Sequence, residues 1–536
     1  MLSFGHVMSA LGGRLKDAPA LVHGEEVVNW ATFDRRTNAL AHAFLASGAQ
    51  PGDRVAHLMR NSPAYLTTTV GAFKARMVHV NVNYRYTGEE LAYILGNSEA
   101  AVVVFDAEFA ATLDGLRARL PYVKLWVQVG GQVGGAPPHW ATSFAALSES
   151  PEGADAAPTL DHAPSDLLFI YTGGTTGMPK AVMWEQATLF TILGAGANMP
   201  GEPAPASLEE HVERVDANTA RRRLLALPPL MHGTGFLMGI YALALGGTVI
   251  TAAKRSFDPG EALRLCALHQ PDICVIVGDA FARPMLRAIE SGEGGLGALK
   301  MMISSGTMWS PEVKAGLLRH CPTMICFDAY GSSEGLGYGQ AISTAAAPDA
   351  PTRFIHDENK IVLDEDMQPV APGSGRMGRV ARTGLLPLGY WKDPEKTAST
   401  FIEYGGRRYT MPGDWAMVES DGSLTLLGRG SQCINTGGEK VFPEEVEEAL
   451  KTHAAVDDAL VFGVKDETWG QAVNAVVETV APVSDAELIA HVKQRLAAYK
   501  APKKVVQVAK VPRAPNGKAD YAAARELAEA AARAAA

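Results

Sequence analysis

The residues best suited to chemistry lie in Leu168-Phe-Ile-Tyr-Thr-Gly-Gly-Thr-Thr-Gly-Met-Pro-Lys180. Gly173, Gly174 and Gly177 can take positive φ and let main-chain N–H groups approach an anion, and Thr172, Thr175 and Thr176 add hydroxyl donors. Lys180 supplies a full positive charge. Small residues, many donors and one cation describe a phosphate-binding loop, and the lysine and hydroxyl density set it apart from a plain glycine-rich surface turn. The apolar run Leu167 to Tyr171 ahead of it, with aromatic and β-branched members, predicts a buried strand carrying the loop at its end.

A Walker loop is the first rival, but its lysine directly follows the last glycine and is itself followed by a hydroxyl residue. Here Met178 and Pro179 separate Gly177 from Lys180, and Ala181 stands where the hydroxyl belongs. The string instead resembles the Tyr-Thr-Ser-Gly-Thr-Thr-Gly-x-Pro-Lys-Gly signature of the AMP-forming adenylating enzymes: acyl-CoA synthetases, peptide-synthetase adenylation domains and beetle luciferases. Gly173 and Ala181 depart from it. With Val-Met-Trp following, the stretch is most similar to bacterial fatty and steroid-side-chain acyl-CoA ligases.

That resemblance implies further sites. Asp328-Ala-Tyr-Gly-Ser-Ser-Glu334 matches the segment in which an aromatic ring packs on adenine and a carboxylate holds magnesium. Tyr330 offers the ring, Asp328 an acceptor for the adenine amino group, and Ala329, Gly331, Ser332 and Ser333 complete the nucleotide-binding stretch. Glu334 is a hard oxygen ligand of the kind magnesium prefers, and Thr175 is the second metal candidate. Taken alone, the motif could be a strand-end turn with a surface glutamate.

Ser304-Ser-Gly-Thr-Met-Trp309 resembles the segment between adenine and the acyl pocket, which makes Ser305, Gly306 and Thr307 candidates for nucleotide contact. Leu230-Met-His-Gly-Thr-Gly-Phe236 resembles the pocket mouth, with His232 the catalytic candidate there. Met231, Phe236, Met308 and Trp309 would form an apolar wall or simply core.

Pro412-Gly-Asp414 resembles the family's Thr-Gly-Asp, although Tyr-Thr-Met-Pro replaces the usual approach. Asp414 would accept both ribose hydroxyls, because a carboxylate with two acceptor oxygens suits a vicinal diol. Arg429 in Gly428-Arg429 would face the ribose or phosphates. Ser431 and Gln432 occupy the usual place of a charged hinge residue, so a swing there would use an uncharged hinge. Asn435-Thr-Gly-Gly-Glu-Lys440 resembles the loop that lines the pantetheine tunnel, with Asn435, Gly437 and Gly438 as contacts. Pro515-Asn-Gly-Lys518 is a forced turn, and the family places a lysine there that reaches the acyl carboxylate and the α-phosphate. The implied catalytic set is Lys518, Glu334, Thr175, Lys180 and His232.

These residues need a scaffold. Thr32 to Ser47 is amphipathic, Arg54 to Leu58 strand-like and Ala64 to Lys74 helical, and the same β/α rhythm returns through Leu224 to Ile250, Ile273 to Val277 and Met301 to Ser305. This predicts mostly parallel sheets wrapped by helices. Short strands with glycine turns from Ile361 to Leu427 predict a small antiparallel or barrel-like unit. Pro443 with Glu444 and Glu445 marks a helix start, as does Ser484-Asp-Ala-Glu487. The alanine-rich end, Tyr521 to Ala536, predicts a fraying helix. The expected fold is α/β: a large AMP-binding domain over 1–428 with a barrel-like unit, a hinge at 429–433, and a small, mobile α+β domain over 434–536 carrying Lys518.

The chain has 536 residues, enough for several folding units. A net charge of −10 argues against a nucleic-acid surface. No apolar run is long enough to span a membrane, and the N-terminus lacks a signal core, so the cytoplasm is expected. Five unpatterned cysteines fit reduced thiols, and His320, Cys321 and Cys326 alone are too sparse for a metal site. The expected enzyme is an acid–thiol ligase using ATP, Mg2+ and CoA on a hydrophobic carboxylate, a medium- or long-chain fatty acid or a steroid side-chain acid. A homodimer is compatible with this. Loading of a carrier protein, an aryl or short-chain substrate, and a nucleotide-binding regulator with a decayed site are the alternatives.

Overall fold

The computed structural model describes residues 2–86, 88–131, 136–172, 178–196, 203–218, 220–347, 352–355, 357–436, 439–466 and 470–535. Two eight-stranded sheets form the large N-terminal part. In one, six parallel strands run in the order Pro19–His23, Thr248–Thr251, Arg223–Ala226, Ile273–Ile276, Met301–Ser304 and Ile325–Ser332, with antiparallel edges Glu26–Asn29 and Gly335–Ser343. In the other, Leu167–Thr172, Val78–Asn81, Arg54–Leu58, Ala100–Asp106, Leu125–Val129 and Thr142–Ser143 are parallel, and Lys180–Glu185 and Gly389–Tyr390 add an antiparallel edge. The predicted β/α rhythm is therefore borne out. Its strands are split between two sheets.

Sequence explains what fills the space between them. The helix Gly233–Ala244, Gly-Thr-Gly-Phe-Leu-Met-Gly-Ile-Tyr-Ala-Leu-Ala, is apolar all round, as only a helix covered on every side can be. It touches Arg223–Ala226, Thr248–Thr251 and Ile273–Ile276, and shares one core with the helix Pro63–Lys74, which is buried from Ala64 to Lys74 and touches strands of both sheets. Lys74, at the end of that helix, donates to Asn38 Oδ1 at 2.7 Å and to Asp34, as a fully buried ammonium requires.

A polar column crosses this apolar layer. His57 and His79 stack at 4.6 Å, His79 stacks on Phe236 at 4.2 Å, and the Tyr65 hydroxyl lies 3.3 Å from His79 Nε2. Among the described residues, neither ring nitrogen of His57 has a well-formed hydrogen bond. Burial pushes its pKa down to about 4, and burial with the neighbouring His57 holds His79 well below the ordinary histidine value.

The stretch Lys360–Arg429 forms a six-stranded antiparallel sheet. Its end strands, Phe401–Tyr404 and Leu424–Arg429, do not pair among the described residues, so the barrel-like expectation is corrected to an open sheet. A five-stranded sheet of Ile434–Thr436, Glu439–Val441, Val456–Asp466, Gly470–Thr479 and Lys504–Val508, with three α-helices, makes the C-terminal α+β part. Pro443 begins the helix Pro443–Lys451, and Ser484 Oγ accepts from Glu487 N at 3.2 Å to cap Asp485–Lys493. The alanine-rich helix Tyr521–Ala535 is not idle, because Ala524 and Ala528 pack on Leu460, Phe462 and Val476. No described helix is long and apolar enough to cross a membrane.

The histidine column makes the fold acid-sensitive. Its folded-state pKa lies below the ordinary value near 6.5, so the neutral rings contribute fully above that pH and lose their contribution as pH falls towards 4. Urea midpoints should drop between pH 7 and pH 5, with about 2 kcal/mol of the loss due to His57. His57→Gln should start lower at pH 7 and show a flatter profile.

Candidate active site

The strands Leu167–Thr172 and Lys180–Glu185 pair antiparallel with Thr172 opposite Lys180. The proposed phosphate loop therefore joins a hairpin, whereas a Walker loop leads into a helix, and Lys180 sits on a strand. Gly173, Gly174, Thr175, Thr176 and Gly177 lie outside the described residues. Lys180 pairs with Asp393, whose Oδ1 also caps the helix Pro394–Thr400 by accepting from Lys396 N at 2.8 Å. The hydrogen bond from Lys180, with that cap, holds the Asp393 carboxyl below its usual range.

One residue that the motifs missed fixes the loop's origin. The buried Asn81 accepts from Tyr171 N at 2.7 Å and donates to Tyr171 O at 3.0 Å and to Met231 O at 2.8 Å. It ties the last turn of the loop strand to the segment bearing His232. Asn61 holds the same segment by accepting from Leu230 N at 2.7 Å.

Along Ile325–Ser332 burial alternates, so Cys326, Asp328 and Tyr330 share one face, and Ala329 and Gly331 take the other. Tyr330 packs against Tyr338 and Phe354, with ring centroids 5.2 and 5.6 Å away. Asp328 has a partner that the motif did not suggest. Its Oδ2 accepts from the fully buried Lys314 Nζ at 3.0 Å, which pins the helix Pro311–His320 to the strand. Burial raises its pKa and Lys314 opposes that rise.

Glu334 is only 8% exposed, which removes the surface-glutamate alternative, and it accepts from the Tyr390 hydroxyl at 2.7 Å. Trp184 Nε1 donates to Ser333 O at 2.8 Å, which links this turn to the strand that begins at Lys180. Ser332 Oγ is buried with no partner among the described residues. Asp414 lies opposite Arg429 in the antiparallel pair, and Arg429 Nε donates to it at 3.1 Å.

Lys518 arrives from the C-terminal part. Its turn is closed by Gly517 N donating to Ala514 O at 2.8 Å and Ala514 N donating to Lys518 O at 2.9 Å. Gly517, at φ +76°, lets the turn press on the large part, since a Cβ there would lie 2.9 Å from Ala280 Cβ and 3.0 Å from Val277 O. A Cβ on Gly306 would lie 3.6 Å from Lys518 Cε.

Lys518 is exposed to solvent, yet protein surrounds it on several sides. Its pKa is lowered by the protein mass around it and then by Arg429, against the pull of Glu334 and Asp414. His232, whose Nε2 is buried and unpartnered among the described residues, is pushed down to about 3 by burial and by the charges of Lys518 and Arg85. The fold thus gathers Gly306, His232, Glu334, Asp414, Arg429 and Lys518.

Other expected residues sit apart. Thr307 packs against Gly278 at a helix start beside Ser305 and Gly306. Asn435 is exposed, with its N–H donating to Gln471 Oε1 at 2.8 Å, and Lys440 pairs with Glu365 and lies 4.4 Å from the Trp415 ring centre. Gly437 and Gly438 lie outside the described residues. Met231, Phe236 and Trp309 are core residues, so they carry no argument about substrate size. Glu444 lies in the first turn of the helix Pro443–Lys451, as expected, and also against Gly428; burial, with Glu447 nearby, raises it to about 8.

Asn81→Ala removes three buried hydrogen bonds. It should destabilise the fold by about 2–4 kcal/mol in urea titration and weaken ATP binding, because the loop strand and the His232 segment lose their common anchor.

The comparisons with known proteins agree with this geometry. The family model described as AMP-binding enzyme matches residues 10–391, and that of the AMP-binding enzyme C-terminal domain matches 445–518. The chain is 40% identical to a 3-oxocholest-4-en-26-oate--CoA ligase of Rhodococcus rhodochrous, over 95% of this chain and 92% of that one. It is 36% identical to a medium/long-chain-fatty-acid--CoA/3-oxocholest-4-en-26-oate--CoA ligase of Mycobacterium marinum, over 96% and 94% of the two. Its fold matches the anthranilate CoA ligase AuaEII with a TM-score of 0.82 at 21% identity, over 99% and 98% of the chains. The chain belongs to the AMP-binding enzyme family.

Proposed function

We propose that the chain is an ATP-dependent, AMP-forming acyl-CoA ligase, an acid–thiol ligase acting on a medium- or long-chain fatty acid or a steroid side-chain acid. The carrying observation is the seating of Lys518 beside Gly306 in a cleft that also holds Glu334, Asp414 and Arg429. The choice of acid rests on relatives at 36–40% identity over nearly their whole length.

The residues fit a nucleotide. The cleft offers a carboxylate for a diol at Asp414, two cations, and the unpartnered Ser332 hydroxyl. Magnesium arriving with ATP would neutralise phosphate charge, with Glu334 as its protein ligand and Thr175 the second candidate. The carboxylate substrate attacks the α-phosphorus, the bond from that phosphorus to the bridging oxygen breaks, and pyrophosphate leaves. Lys518 reduces the repulsion between carboxylate and phosphate, and a charge contact of this kind is worth about 3 kcal/mol in the transition state. Lys180 holds the phosphates that depart. In the second step the CoA sulfur attacks the acyl carbon and AMP leaves; AMP is a far better leaving group than the oxygen of a free carboxylate.

The large domain (1–428), the hinge (429–433) and the small domain (434–536) belong to this proposal. The present orientation serves the first step, because Lys518 is on the cleft and Asn435 is exposed. For the second, the Asn435–Lys440 segment would turn in to line the path of the thiol arm.

Lys518→Ala should abolish carboxylate-dependent pyrophosphate release and spare thioester formation from preformed acyl-adenylate. Equal loss of both contradicts the assigned role. Since burial and then Arg429 lower the Lys518 pKa, its charge is lost as pH rises before that of an ordinary lysine. The first half-reaction should fall there, and Lys518→Arg should extend the plateau to higher pH. A substrate panel favouring acetate or hydroxybenzoate would overturn the hydrophobic-acid assignment, and discharge to a pantetheinylated carrier in preference to CoA would overturn the acceptor.

A further inference from the structure

The helix Asp279–Glu290 presents Asp279, Arg283 and Arg287, spaced i, i+4 and i+8 on one stripe, to the C-terminal part. Asp279 is fixed by its own side of the interface. Its Oδ1 accepts from Ser310 N at 3.0 Å, and its Oδ2 accepts from Arg283 Nη2 at 3.2 Å and from Ser310 Oγ. From the other side Lys451, the last residue of the helix Pro443–Lys451, places Nζ 3.4 Å from Asp279 Oδ2 and pairs with Glu448. Glu448 Oε2 in turn lies 3.1 Å from Ser310 Oγ.

Lys451 and Asp279 are 6% and 7% exposed. Burial alone would raise the Asp279 pKa, but Lys451 and Arg283 overcome it and hold the carboxyl low. Beside this socket Arg287 Nη1 donates to Asp457 Oδ2 at 2.5 Å.

The location gives the network its meaning. The same first turn carries Ala280 and Phe281, against which Gly517 presses the Lys518 turn, and it starts at Gly278, whose N–H donates to Ser304 Oγ at 2.9 Å beside the Ser305–Thr307 segment. One turn of helix therefore receives both the catalytic lysine's loop and the Lys451 ammonium. A buried ion pair gains little over water when fully formed, yet it is costly when half broken in a dry site. A seated small domain satisfies both charges and a fully released one hydrates both. In between, each loses the other and keeps only the partners of its own side, Arg283 and Ser310 for Asp279 and Glu448 for Lys451.

We propose that Lys451 and Asp279 are positioning residues, a catch that holds the small domain where Lys518 meets the cleft and whose separation releases it for thioester formation. The inference rests on the acyl-adenylate reading above.

The test separates the half-reactions, with dodecanoate and ATP–pyrophosphate exchange for the first and preformed dodecanoyl-adenylate with CoA for the second. Lys451→Met should lower exchange at least tenfold and leave thioester formation unchanged or faster, and Lys451→Arg should restore most of the exchange. Arg287→Glu should show the same split more mildly, and adding Asp457→Arg should reverse it. Should Lys451→Met fail to fold, the Arg287/Asp457 swap decides. Equal losses in both half-reactions for folded variants, unaltered exchange, or no recovery in the swap would each overturn the catch. A wild-type protein inert towards every carboxylate would overturn the functional reading instead.

Discussion

A single ammonium group, that of Lys518, reaches the charges of the large part from the C-terminal part of the chain. Lys518 meets Glu334, Asp414, Arg429 and His232 only because its turn presses Gly517 onto Ala280. The large part supplies Glu334, Asp414 and Arg429 at or beside strand ends, and the C-terminal part supplies Lys518. Two stacked α/β sheets suit that division. Their parallel strands, covered by fully apolar helices, leave the polar residues to gather at the ends and in the connecting turns.

The walls are cross-braced by groups that touch no substrate. Trp184 joins the Lys180 strand to Ser333, Tyr390 holds Glu334, and Asn81 joins the loop strand to the His232 segment. Each is a buried polar group with its hydrogen bonds made. The spacing between the Lys180 strand and the carboxylates is thus set by short, saturated links between elements distant in sequence.

Local signals survived the passage from sequence to structure. Arg54 to Leu58 is a strand with those bounds, Pro443 starts its helix, Ser484 caps the next, and the parallel rhythm is present. Each depends on neighbours within a few positions. What could not be read depends on partners far away. The Lys314 partner of Asp328 lies on a separate helix, and Asn81 looked like an ordinary polar residue in a short strand. Glu444 sits in the first turn that its position suggested, but its contact with Gly428 depends on packing between separate segments. Trp309, placed on the pocket wall as one of two options, proved to be core, because alternation along a chain does not say which of two faces borders a cleft. The antiparallel sheet gave its strands away but not its edges, since closure is a property of the whole sheet.

With Lys180 in the proposed role of phosphate holder, its pairing with Asp393 makes the site an ion exchanger. Its lysine comes with a counterion attached to the same chain, at an effective concentration that no small dissolved anion matches. Chloride or acetate gains little by displacing it, whereas a polyphosphate can compensate for the lost partner with several contacts at once. In that role the tethered carboxylate would act as a filter, admitting multivalent anions and keeping Lys180 paired between turnovers.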